Sequence, residues 1–147
     1  MALRDAAADL LAALESAGVG STSSSPPTLY SAPLPAGGPE ALVSVVDFGA
    51  AEDAEPRLGG AGRTSLSPEV TVRVRGERHA FAAAQALAQA AWAACWYPAV
   101  EGYVRVVPSG SGPSYLGPDP SGRHQFSFTV RMEYRATAAA GGVTPDT

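Results

Sequence analysis

Polar and apolar positions alternate most cleanly between Arg123 and Arg135. Phe126, Phe128, Val130, Met132 and Tyr134 fall on one parity, and Gln125, Ser127, Thr129, Arg131, Glu133 and Arg135 on the other. A period of two predicts a strand with one oily and one polar face. At about 3.3 Å per residue it would span roughly 40 Å, whereas strands of about 5–6 residues are usual. A shorter alternation runs through 68–76, where Val70, Val72 and Val74 are predicted inward and Thr71, Arg73 and Arg75 outward. Residues 40–48, EALVSVVDF, are apolar on both parities, which predicts a central strand covered on both faces. Residues 28–34 and 102–108 read as further short strands, the first confined to an edge or ended by Pro33.

Helical spacing occurs twice. In 2–17, Leu3, Ala7, Leu10, Leu11 and Leu14 share one face, and Gly18 is placed to cap the C-terminus. Residues 77–97 are Ala-rich, lack Gly and Pro, and stop at Pro98. Their predicted buried stripe is Phe81, Ala84, Leu87, Ala88, Ala91, Trp92 and Cys95, and the small alanines would let the helix lie close on a sheet. Residues 49–67 contain no convincing element and are expected to form a long loop, mobile in a free subunit and ordered on assembly. Residues 137–147 read as a flexible tail. This order predicts one α+β domain over 1–136, with a mixed, mainly antiparallel sheet of four to five strands packed against two helices.

Composition narrows the function. The 147 residues carry a net charge of -4, and every basic residue except histidine is Arg. An acidic chain without a basic cluster is poorly suited to gripping nucleic acid. Cys95 is the single cysteine, so an intrachain disulfide is excluded. No apolar run approaches the ~18 residues of a membrane span, and Asp5 and Asp9 interrupt the N-terminal apolar stretch where a signal peptide would need continuity. The expectation is a soluble protein made in a cytoplasm.

Candidate chemistry is sparse. RLGGAGRTS (57–65) has the glycines and hydroxyls of a phosphate loop but lacks its GK[ST] ending. Asp47, Glu52, Asp53 and Glu55 lack calcium-loop spacing, and His79, His124 and Cys95 lack zinc spacing, so no metal or cofactor is expected. No nucleophile, base and orienter form a set. The chain is therefore read as a non-enzyme, with a small hydrolase or ligand-binding domain using His79, His124 and the acidic loop as the competing class. Arg73, Arg75, Arg131 and Arg135, with Glu69 and Glu133, suit either a solvated sheet face or a subunit interface. Trp96 and Tyr97 suit either core or contact.

One stretch carries a resemblance. VTVRVRG leads into the Ala-rich helix, YVRVVP follows, and then PSYLGPDPSGRHQFSFTVRMEYR. This order, with an LGxDxxGR turn before a long alternating strand, resembles the tail terminator and minor capsid proteins of long-tailed bacteriophages over about residues 68–136. The matching positions are Arg73, Arg75, Leu116, Gly117, Asp119, Gly122 and Arg123. The resemblance implies a structural virion protein at the head-tail interface, assembled in the host cytoplasm. It implies a homohexameric ring that caps the tail tube, stops its elongation and offers the head-joining surface. Its implied partners are copies of itself, the major tail tube protein and a head completion or connector protein, with DNA passing through without tight binding. Another head-tail connector component, a head completion or stopper protein, is the neighbouring alternative. The expected interface residues are Arg73, Arg75, Asp119, Arg123, Arg131, Glu133 and Arg135, and the long strand is expected to offer an open edge to a neighbour.

Overall fold

The computed structural model describes residues 3–47, 62–139 and 142–146. The chain is α+β. Among the described residues there are two helices, α1 (Ala6–Ser16) and α2 (Phe81–Ala94). The same residues form eight strands: β1 (Leu29–Tyr30), β2 (Leu42–Asp47), β3 (Arg63–Leu66), β4 (Glu69–Arg78), β5 (Arg105–Pro108), β6 (Ser114–Pro118), β7 (Arg123–Ala139) and β8 (Gly142–Pro145). The sheet is mixed, because β1 and β2 run parallel while every other pair is antiparallel.

The long strand has an internal reason for its length. One flank of β7 is occupied by β4 and then β3, and β2 and β1 continue the sheet beyond β4. The opposite flank is shared by three short strands in succession: β6 against His124–Ser127, β5 against Val130–Glu133 and β8 against Ala136–Ala139. The expected open edge is therefore absent from β7, whose length serves pairing within its own chain. Among the described residues the outer edges belong to β1 and β3 on one side and to β6, β5 and β8 on the other.

The strand number exceeds the four to five expected for physical reasons. β3 falls inside the expected loop 49–67 and continues β4 in the same register: Leu66 faces Tyr134 and Glu69 faces Arg131. Pro68 has no N–H to give the ladder, but its carbonyl still accepts from Met132 N at 3.0 Å. The rest of that loop, like its expected mobility, lies outside the described residues. β6 lies in what read as turn sequence. Beyond 136, the segment read as a tail, β7 runs on to Ala139 and β8 turns back on it.

Both helices cover one face of the sheet. Asp5 caps α1 by accepting from Ala8 N at 3.1 Å, and Gly18, at φ +80°, ends it. Leu10 and Leu14 of α1 join Val43 and Val45, Val70, Val72 and Val74, and the even-numbered residues Phe126 to Met132 in one core. From α2, Ala84, Ala88, Ala91 and Cys95 enter that core, while Leu87 and Trp92 are half-buried and Phe81 is exposed. The Cys95 thiol, pushed up to about 12 by burial, stays protonated and acts as a small apolar side chain.

Candidate assembly surfaces

The expected interface residues divide into two groups. Arg75, expected outward, is 1% exposed and is among the largest fully buried side chains. It lies on the sheet face away from the helices, beneath the Pro/Gly segment 31–41. Nε donates to Glu40 O at 3.1 Å, Nη2 to Pro39 O at 2.6 Å and Gly37 O at 3.2 Å, and Nη1 donates to Pro35 O. Ser44 Oγ donates to Ala32 O from the neighbouring strand. A planar fork with five donors suits a segment rich in Pro and Gly, which offers carbonyls but little apolar surface. Burial, and then the charge of Arg123, pulls the Arg75 pKa below its ordinary value. An arginine nevertheless stays charged at any pH the fold tolerates.

Asp119 and Arg123 are also engaged within the chain, as the closure of the LGPDPSGR turn. Asp119 Oδ1 accepts from Ser121 N and Arg123 N, both at 2.9 Å, and Oδ2 accepts from Arg123 Nε at 2.7 Å. The two side chains are 8% and 9% exposed. Arg123 Nη2 then donates to Ala36 O at 3.2 Å, so the turn holds the same 31–41 segment that Arg75 grips. Gly122 takes φ +80°, and its carbonyl accepts from His79 N at 3.0 Å. A Cβ there would sit 2.8 Å from the His79 ring. Within the chain, Arg75, Asp119 and Arg123 have an internal role: they fasten a loop.

Burial opposes the ionisation of Asp119, but the hydrogen bonds from Arg123 and Ser121 outweigh it and hold its pKa below the ordinary value. A depressed carboxylate pKa contributes stability that is present above the unfolded value of about 3.9 and lost as pH falls through the folded value. Asp119→Asn is therefore expected to lower the melting temperature at neutral pH. The variant should also lose less between pH 5 and pH 2 than the parent does. Parallel melting curves across that range check it, and identical pH slopes would contradict it.

The remaining expected residues are on the surface. Beyond the part of the sheet covered by 31–41, the face away from the helices carries exposed Arg73, Arg105, Arg131 and Arg135, interleaved with the half-exposed Glu69 and Glu133. Arg131 Nη2 donates to Glu69 Oε1 at 3.0 Å, and Glu133 lies opposite Arg105 in the register. This is an open, charged sheet face.

A second surface lies on the outer face of α2, away from the expected buried stripe. The sequence of α2, FAAAQALAQAAWAA, has no charge. Its outer face presents Ala82, Ala83, Ala86, Ala90 and Ala93 with Gln85 and Gln89, all exposed. Exposed helix faces are normally charged or polar. Trp96 and Tyr97, 45% and 65% exposed, frame the C-terminal end of this face. At the other end Phe81 packs edge-on against Tyr115 and His124, each with ring centroids 5.3 Å away. Tyr115 Oη and His124 Nδ1 are hydrogen-bonded at 2.7 Å. The missing charges were legible in the sequence; that the face is left uncovered was not.

The histidines are therefore engaged separately, His79 beside Gly122 and His124 with Tyr115. Among the described residues no group of three His, Cys, Asp or Glu side chains is arranged to hold a metal, and no helix is long and apolar enough to cross a membrane. The phosphate-loop and acidic segments lie outside the described residues, apart from Asp47 at the end of β2 and Gly62–Ser65. No protein-family model matches the chain, and no curated protein matches it.

Proposed function

We propose that this protein is a structural subunit of a bacteriophage virion, a tail terminator that forms a ring, caps the tail tube and offers the surface for head joining. The observation that carries the assembly part is the outer face of α2: uncharged, alanine-rich, exposed, and framed by exposed aromatic side chains at both ends. Such a face has little to offer water, whereas its small side chains allow a protein partner to approach closely, and aromatic anchors are what protein interfaces favour. The assignment to tails comes from the LGxDxxGR turn and the strand-helix-strand order around it. Asp119, Gly122 and Arg123 each have a distinct part in closing that turn. In this reading the partners are further copies of the chain, the tail tube protein and a head connector protein, and no cofactor is required.

Ala86→Glu tests the contact. A charge at this exposed position should change stability by less than about 0.5 kcal/mol. It should weaken association, read as a lower sedimentation mass with or without tail tube protein. Unchanged assembly would remove the α2 face from the interface. Microscopy of particles made without the protein tests the assignment. Overlong tails are expected of a terminator, whereas normal tails beside heads that leak DNA would indicate a head completion protein instead.

A further inference from the structure

The charges of the chain are segregated between its two layers. The open sheet face sets Arg73, Arg105, Arg131 and Arg135 against two glutamates, on a chain whose net charge is -4. The helix layer has the opposite character. Asp5, which caps α1, Asp9, whose Oδ2 accepts from Tyr103 Oη at 2.7 Å, and Glu15, which accepts from Thr22 Oγ1, lie on or beside α1, and the exposed Glu101 lies on the loop facing it. Arg4, just ahead of α1, is turned inward over the Tyr103 and Tyr134 rings and donates to Asp146 O at 2.8 Å. Between α1 and the 98–101 loop runs an open groove of about 450 Å³, with Asp9 and Glu101 on its walls and Ala12, Ala13, Ser16 and Pro98 between them.

Building on the ring reading, we infer that this acidic groove of one copy receives the arginine-bearing sheet face of the next copy. The chemistry is complementary. Alanine and proline walls suit the aliphatic stems of arginine, and the open Glu101 carboxylate, with the second oxygen of Asp9, suits its planar fork. The two surfaces are different patches on opposite layers of one chain, so the contact is head-to-tail. Contacts of that kind propagate from copy to copy and close into a ring when the rotation permits. A polyphosphate is the poorer occupant of the sheet face, because Glu69 and Glu133 sit among the arginines and would repel it.

Two complementary variants test the inference: Glu101→Arg, and the double variant Arg105→Glu/Arg135→Glu. The milder Glu101→Gln and Arg105→Gln/Arg135→Gln serve if a reversal impairs folding, which circular dichroism and melting report. The parent chain should assemble in light scattering, and its association should weaken tenfold or more when salt is raised from 50 to 500 mM. Each reversal variant alone should stay monomeric at concentrations where the parent assembles. Mixed in equal amounts they should associate, because each supplies the surface the other lacks. If the parent assembles and both reversals assemble equally well, the inference fails and the ring reading stands. If the parent is monomeric at every concentration, alone and with tail tube protein, both fail. Retarded migration of a duplex DNA with the parent, lost in the arginine variant while self-association persists, would assign the sheet face to nucleic acid and overturn the inference.

Discussion

Arg75→Met releases the 31–41 segment and lowers stability by about 3 kcal/mol or more, the range seen when a buried charged group or its partners are left unpaired. Methionine fills much the same volume but donates nothing. The carbonyls of Pro35, Gly37, Pro39 and Glu40 all lose their guanidinium donor at once. Each acceptor left buried without a donor costs about 1–3 kcal/mol, reduced wherever the loop can lift and admit water. The loop lifts because little else holds it: Arg123 at Ala36 O, Ser44 at Ala32 O, and Glu40 through its ion pair with Arg78 at 2.7 Å. For a domain of this size the loss corresponds to a melting temperature about 6–12 °C lower. Hydrogen exchange should show the lost protection concentrated in residues 31–44. Arg75→Lys should recover only part of it, because three donors on one nitrogen cannot span carbonyls spread along the loop. A drop below about 1 kcal/mol for the methionine variant would mean that the loop is held by other contacts.

Gly76→Ala is expected to cost about 3 kcal/mol, at the upper end of what overpacking does in a close-packed core. A Cβ at residue 76 would lie 2.3 Å from Ala84 Cβ and 2.9 Å from Ala84 Cα, where β4 passes beneath α2. Neither atom belongs to a side chain that can rotate away, so the helix itself must move, and with it the packing of Ala88, Ala91 and Cys95. Ala84→Gly alone should cost about 1 kcal/mol through helix propensity. Combined with Gly76→Ala it should restore part of the loss, giving a double variant more stable than the sum of the two singles. Strict additivity in urea unfolding would show that the contact between these two positions is not the cause.

Much of the fold was legible as period. The alternation in β4 and β7 placed Val70, Val72 and Val74 and the even residues Phe126 to Tyr134 inside, where they are found. That followed because hydrophobic burial selects one parity along a whole strand. The same rule misplaced Arg75. It shares its parity with Arg73, which is exposed, and differs only in what lies above it. A segment thirty-five or more residues earlier, with no periodic pattern of its own, folds over one end of the sheet and converts a surface arginine into a buried clamp. Asp119 and Arg123 show the same effect on a shorter scale. Their motif was visible, but the partner at Ala36 was not.

The sequence alone determined the two amphipathic or alanine-rich helices, the inward faces of the main strands and the absence of charge along α2. Each is a local property, set by side-chain spacing against the geometry of a helix or a strand. Only the tertiary structure decided which partners β7 has along its flanks, which arginines are clamps and which are exposed, and that the alanine face of α2 is left open beside an acidic groove. Those outcomes depend on contacts between segments far apart in the chain. Any one segment is equally compatible with burial or exposure until its neighbours are in place.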